Sequence, residues 1–261
     1  MTEPRSAIDP ILITFPPSLD SELARFLVEH YGIRCQERPH AFVFSFFYTL
    51  WHGYTVVFPL LYGNSVRLVG PRAIADYFDA RCAPELRLWP QAQEQRLQAK
   101  NDWNLFNGTL AFATAVFAYY HLLPHRDVMI RPLSLGTLDF ERNAVERAYP
   151  SFAGVLRTLL RLTPQRAQES LDQIRTIFSA VDARIAGARR FLVGDTLTLS
   201  DLAFAVAAAP VILPPAYGGP MPPFAEMPAE IQAAVNEMRA HPAGAFALRI
   251  YEERRNRFGT A

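Results

Sequence analysis

The strongest constraint on the fold lies late in the chain. Residues 190–204 read Arg-Phe-Leu-Val-Gly-Asp-Thr-Leu-Thr-Leu-Ser-Asp-Leu-Ala-Phe. Gly194-Asp195 marks a tight turn. Thr198 and Asp201 then follow with the spacing of a capping box. A threonine oxygen covers free N–H groups at a helix start, and the acid three residues on reaches back to the N–H of the cap. Residues 202–213 carry no charge. A helix without a polar face has no side to show to water, so this one runs through the interior of a domain. The rest of the chain must cover it.

The other end of the chain has its own pattern. Residues 11–15, Ile-Leu-Ile-Thr-Phe, form a short apolar run closed by Pro16-Pro17, which reads as a buried strand. Ser18 precedes a helical pattern. Leu19, Leu23, Phe26, Leu27 and Val28 recur at helix spacing, Asp20 and Glu22 sit in the first turn, and Gly32 closes it. A helix start presents free N–H groups and partial positive charge. Ser18 there is either an N-cap worth about 1 kcal/mol, or a hydroxyl that donates to a bound thiolate and lowers its pKa. Ser21, one turn further in, is a second candidate. Residues 56–62 are another apolar run, interrupted by Pro59, which demotes an ordinary central strand. Gly63-Asn64 is a hairpin signal. A strand at 65–69 follows, then a helix with Ala73, Ile74, Tyr77 and Phe78 on one face.

Together these motifs resemble the cytosolic glutathione transferases. Residues 190–204 are similar to the folding signature of their helical domain, Gly-Asp-x-x-Thr/Ser-x-x-Asp. The strand, Pro-rich turn, Ser18, helix ending in Gly32-Ile33, Pro59, hairpin strand and third helix resemble their thioredoxin-like domain. The resemblance implies an α+β two-domain fold. Its parts are an N-terminal thioredoxin-like α/β domain at 1–81, a linker at 82–90, and a C-terminal all-α helical domain at 91–261 with an apolar substrate pocket. It implies that Ser18 touches the glutathione sulfur, that Pro59 is a cis proline, and that the backbone of Phe58 pairs with the cysteinyl backbone as an added strand would. It puts the electrophile pocket on the first helix of the C-terminal domain. Trp103, Phe106, Asn107 and Leu110 are candidates there, each of them otherwise plain core. The implied reaction is detoxification: glutathione, as co-substrate and without metal, adds its sulfur to a small hydrophobic electrophile. The implied setting is a cytoplasmic homodimer.

Two departures bear on that function. Gly70-Pro71 stands where such transferases carry a Glu, Gln or Asp followed by Ser, the pair that holds the γ-glutamyl amine and carboxylate. Gly70 offers no carboxylate. Pro71 suits a helix N1 position but has neither hydroxyl nor N–H, so a few kcal/mol of charge-assisted hydrogen bonding is missing. The second departure is the uncharged aromatic run at 41–51, flanked by His40 and His52. It is too short to span a bilayer. It either packs against the helical domain or forms a ligand wall or a partner surface. His40 and His52 are candidates to replace the lost contacts, and so join Gly70 and Pro71 as candidate glutathione-binding residues. The alternative reading is a non-catalytic protein of the same fold that binds partners through 41–51.

Composition narrows the classes further. The formal net charge is +1 and the charges are dispersed, with no basic stripe for nucleic acid. Cys35 and Cys82 have no metal-binding spacing, and the start at 1–10 is polar, with no secretory signal. Both point to a reducing cytoplasmic setting, with Cys35 a core residue of the second strand. Residues 103–124 carry no charge and approach membrane-spanning length, but Asn104, Asn107, Gly108, Thr109, Thr114 and His121 interrupt them. They read as one long buried helix. Further helices are expected at 140–162, 165–188, 199–213, 230–239 and 243–255, with an irregular Pro/Gly-rich loop at 214–228. No Gly-rich phosphate loop, zinc spacing or Gly-x-Ser-x-Gly elbow is present.

Overall fold

The computed structural model describes residues 9–63, 65–187 and 189–258, of which 254–258 as backbone only. Asn64 of the expected hairpin and residues 1–8 of the polar start lie outside the described residues. The N-terminal part is a mixed sheet with three helices, and an all-α part follows. Its elements run β1 (Ile11–Thr14), α1 (Leu19–His30), β2 (Gln36–Pro39), α2 (Phe42–Gly53), β3 (Leu60–Gly63), β4 (Val66–Val69) and α3 (Gly70–Asp79). The sheet order is β2-β1-β3-β4. β1 pairs parallel with β2, Ile11 opposite Gln36, because α1 carries the chain back between them. β3 runs antiparallel to β1, Ile11 opposite Tyr62, and β4 antiparallel to β3, Leu60 opposite Val69. The apolar run at 56–62 joins the sheet only from Leu60 onward, past the Phe58–Pro59 peptide, which is cis as expected. Cys35 precedes β2 rather than lying on it and is half-buried. Burial pushes its thiol up to about 11.

The aromatic run is a helix, α2. Phe42, Ser45 and Thr49 face the sheet, while Trp51 is 80% and Phe47 64% exposed. The expected packing against the helical part is made by Phe44, whose ring lies 5.4 Å from Phe140 and 6.5 Å from Phe152. Ala41 starts α2 with no side chain able to cap it. The cap comes from the helical part: Glu141 accepts the Ala41 N–H at 2.8 Å and the His40 Nδ1–H at 2.7 Å. Its side chain is wholly buried.

The helical part runs α4 (Gln93–Trp103), a π-helical turn (Asn104–Leu110), α5 (Ala111–Leu122), α6 (Arg126–Ser134), α7 (Asp139–Arg147), α8 (Tyr149–Leu159), α9 (Pro164–Ile185), α10 (Leu199–Ile212), α11 (Ala229–Ala240) and α12 (Pro242–Phe258). No helix among the described residues is long and apolar enough to cross a membrane. Residues 140–162 are not one helix. Pro150 has no N–H to donate and suits a first turn, so the chain breaks at Ala148 and restarts as α8. α6 was not foreseen, since Pro132 and the mixed residues around it hide its period. α10 is the buried helix, with every residue from Leu199 to Ala209 buried. Its capping box is formed. Asp201 accepts the Thr198 N–H at 2.7 Å, the Thr198 hydroxyl at 2.8 Å and the Leu192 N–H at 2.8 Å.

The two parts are joined by polar contacts around α1. Arg25 donates to Glu22 and Glu37, and Glu22 in turn accepts the Gly218 N–H at 2.7 Å from the loop after α10. Gly219 lies so close to the Pro16 carbonyl that a Cβ there would overlap it. The loop therefore seals the joint beside the β1–α1 turn. Glu141 makes a second joint on the far side. Removing a buried carboxylate that serves two donors leaves both unpaired, so Glu141→Ala should cost about 3 kcal/mol. Urea unfolding checks this. A loss under about 1 kcal/mol would mean that the contact is replaced by water.

Candidate active site

The β1–α1 turn aims Ser18 into a cleft between the two parts. Ser18 is the N-cap of α1, in an extended conformation, and its Oγ accepts the Ser21 N–H at 3.3 Å. The hydroxyl keeps its own proton to donate. Ser21 is fully buried, and its Oγ accepts the Phe15 N–H at 3.1 Å, so it closes the turn from inside. Ser18 faces the cleft and Ser21 does not.

The cleft holds about 300 Å³. Phe15, Pro17, Ser18, Leu19 and Asp20 line one side, Phe42 and Phe58 another, and Leu156, Leu159 and Leu160 of the α8 end close it. Phe58 rests among Phe15, Phe42 and Phe46 at ring distances of 5.6–6.2 Å. The opposite wall is Asn107 and Gly108 of the π turn, then Ala111, Phe112, Ala115 and Tyr119 of α5. A deeper apolar pocket of about 70 Å³ shares Pro17, Leu19, Ala115 and Tyr119 with it.

Of the four expected pocket residues on this helix, Asn107 lines the cleft. Phe106 and Leu110 are fully buried in the core, Phe106 against Phe204 at 5.1 Å. Trp103 is half-buried outside the cleft, under the Arg72 guanidinium at 5.5 Å. The π turn explains the difference. It inserts one extra residue per turn and rotates the face that follows. The small residues Gly108, Ala111 and Ala115 at helix spacing were the available signal.

Asp20 was read only as a helix-start acid. It lines the cleft, half-buried, with Asn107 among the residues of the facing wall. Burial pushes this carboxyl up to about 6, and the Asn107 side chain opposes the rise. A titratable acid beside a helix-start serine in a cleft is the pattern of a functional site.

The remaining candidates lie apart. Gly70 has φ +78°, in the left-handed region, and its N–H donates to the Pro59 carbonyl at 2.8 Å. Pro71 fills the first turn of α3. Arg72 does not turn toward the cleft: it grips Asp76 at 2.9 Å and covers Trp89. His40 and His52 line a different pocket, with Tyr48 and Tyr62. No cluster of three metal-binding side chains occurs among the described residues.

The Asp20 shift has a stability consequence. The folded pKa of about 6 stands above that of an unfolded aspartate, so the folded state holds the proton more tightly. The contribution of Asp20 to stability is greatest in acid and falls as the pH rises through about 6. Asp20→Asn removes that dependence. In thermal melts from about pH 4 to about pH 7, the melting temperature of the variant minus that of the parent should rise with pH. A flat difference would place the carboxylate in water.

Comparison with known proteins agrees with this architecture. Residues 142–222 match the family model described as glutathione S-transferase, C-terminal domain. No curated protein sequence matches the chain. Similar solved structures include a glutathione S-transferase from Rhodospirillum rubrum, 14% identical, covering 92% of this chain and 91% of that one with a TM-score of 0.58. A beta-etherase from Sphingobium is 13% identical, with 94% and 99% covered and a TM-score of 0.59. A theta class glutathione S-transferase from Xanthomonas axonopodis pv. citri, solved with glutathione bound, is 18% identical, with 92% and 97% covered and a TM-score of 0.52. The chain has the two-domain fold of the cytosolic glutathione transferases, and residues 142–222 of its helical part match the model of their C-terminal domain.

Proposed function

We propose that this protein is a transferase that joins a thiol, glutathione first among them, to a small hydrophobic electrophile. The observation that carries the reading is Ser18. Its hydroxyl sits at the start of α1 and opens into a cleft whose other walls are mostly apolar. The free N–H groups there and the Ser18 O–H favour a thiolate over a thiol. The thiol S–H bond breaks and its proton leaves to solvent; the sulfur lone pair forms the new S–C bond as that carbon's bond to its leaving group breaks, and the leaving group departs to solvent with the bonding pair. The apolar pocket beyond Ala115 and Tyr119 suits the electrophile. Phe58 and Pro59 would dock the peptide backbone. Cytoplasmic location and a homodimer belong to the same reading.

Gly70-Pro71 sets the strength of binding. With no acid and no hydroxyl at the start of α3, the γ-glutamyl end has few partners, so affinity for glutathione should be weak. Calorimetry with glutathione, with Ser18→Ala alongside, tests the reading. The expected result is binding in the millimolar range, about −4 kcal/mol, and thiol transfer that falls about a hundredfold or more in Ser18→Ala. No heat at high millimolar glutathione would remove glutathione from the proposal.

A gain-of-contact variant tests the same point from the other side. Gly70→Glu with Pro71→Ser should tighten glutathione binding about tenfold. It should also cost about 1–2 kcal/mol of stability, because a side-chain-bearing residue is strained at positive φ. Unchanged affinity would show that glutathione does not reach the start of α3.

The exposed Phe47, Leu50 and Trp51 favour a second reading, a non-catalytic binding protein that docks partners on α2. Full thiol-transfer activity that depends on Ser18 would exclude it.

A further inference from the structure

The two histidines absent from the Ser18 cleft meet in another place. His40 and His52, with Tyr48 and Tyr62, line a pocket of about 350 Å³ between β2, α2, β3 and the chain before α7. None of its wall residues also lines the Ser18 cleft. Its size is at the lower end of small-ligand pockets.

His40 is the key group. It is 4% exposed, and its Nδ1 lies 2.7 Å from the buried carboxylate of Glu141. Glu141 accepts from the Ala41 N–H as well, so it serves as an acceptor and His40 Nδ1 donates to it. Nε2 is the other ring nitrogen, on the opposite side of the ring. It makes no hydrogen bond among the described residues. Nε2 is not among the buried polar atoms left without a partner, so it is open to hydrogen bonding with a ligand hydroxyl in the pocket.

The walls are flat. Tyr48 stacks on His40 with ring centres 3.6 Å apart and planes at 14°. His52 stacks on Tyr62 at 4.5 Å and 17°. Two aromatic pairs with apolar Pro39 and Leu138 suit a planar ring. The charge is uneven. Glu37 is already held by Arg25 and Thr14. Arg38 contacts only the Gln36 amide oxygen, at 3.2 Å, and has no carboxylate partner among the described residues. Burial, then Arg38, then His40 lower the pKa of His52, which puts all three groups around one space.

We propose that this second pocket binds a small phenolic acid, whose hydroxyl hydrogen-bonds His40 Nε2 and whose carboxylate meets Arg38. The proposal is independent of the Ser18 cleft and of glutathione. Both ends of the ligand matter: phenol lacks the anion, and benzoate lacks the hydroxyl.

Calorimetry of the full chain with para-hydroxybenzoate, phenol and benzoate tests it. The expected result is binding of para-hydroxybenzoate about tenfold tighter than either single-ended probe. Arg38→Gln, on an exposed side chain, should weaken it about tenfold without lowering the melting temperature. Nitrogen-15 spectra should show the His40 Nε2 resonance moving on addition of the ligand, and saturating glutathione should leave binding unchanged. Three outcomes overturn the proposal: no heat at millimolar para-hydroxybenzoate, equal affinity for all three probes, or binding indifferent to Arg38→Gln. Competition by glutathione would also overturn it, by placing the ligand in the Ser18 cleft.

Discussion

The carboxylate of Asp201 accepts three hydrogen bonds while fully buried, two from Thr198 and one from Leu192. Burial pushes its carboxyl up to about 6 against those donors, which favour the charged form. A buried acid left short of partners would cost several kcal/mol, so the geometry of the turn and of the helix start is held tightly. That start positions α10, the helix around which both halves pack. The Leu199 N–H donates to the carbonyl of Leu88 in the linker, at 3.0 Å. Asp79 at the end of α3 takes the N–H groups of Leu88 and Trp89. A chain of hydrogen bonds thus runs from the thioredoxin-like part, through the linker, to the buried helix.

The cleft depends on this rigidity because its walls come from distant parts of the sequence. Ser18 and Asp20 come from the first twenty residues, Asn107 from the π turn, and Leu156 and Leu159 from α8. Two cross-domain joints hold them: the Glu22–Arg25–Glu37 cluster with Gly218, and Glu141 beneath α2. The second has two effects at once. By capping α2 from another domain it fixes the aromatic helix over the sheet. By engaging Nδ1 of His40 it holds the ring that lines the second pocket.

Local signals were legible in the sequence, and distant ones were not. Thr198 and Asp201 and the Ser18 helix start are each written within a few residues, and each is formed; the cis peptide before Pro59 is formed too, but it followed from the family resemblance and not from the residues around it. The wall of the cleft was read one step out of phase, because periodicity assumes an ordinary α-helix and the π turn at Asn104–Leu110 breaks that assumption. Phe106 and Leu110 therefore went to the core. The break at Pro150 was visible as a proline, yet the apolar period on either side concealed it. No local pattern could pair Glu141 with His40 across a hundred residues or show that Asp20 meets Asn107, since those contacts exist only after the halves dock.

Gly70 shows how one backbone constraint shapes the cleft. Its φ of +78° lies where glycine rests without strain and other residues do not, and its N–H is already spent on the Pro59 carbonyl. The turn into α3 is therefore relaxed and offers a ligand neither the Gly70 N–H nor a polar side chain at Gly70 or Pro71. A thiol peptide in this cleft would have to draw its binding free energy from elsewhere: the α1 start, the backbone beside Pro59 and the apolar walls. The α1 start supplies polarity at one point only, and Asp20 beside it adds negative charge as the pH rises above about 6. An ionised Asp20 disfavours a second anion nearby. Selectivity in such a site falls on the apolar half of the ligand, where Phe112, Ala115 and Tyr119 meet it, rather than on the charged ends of the peptide.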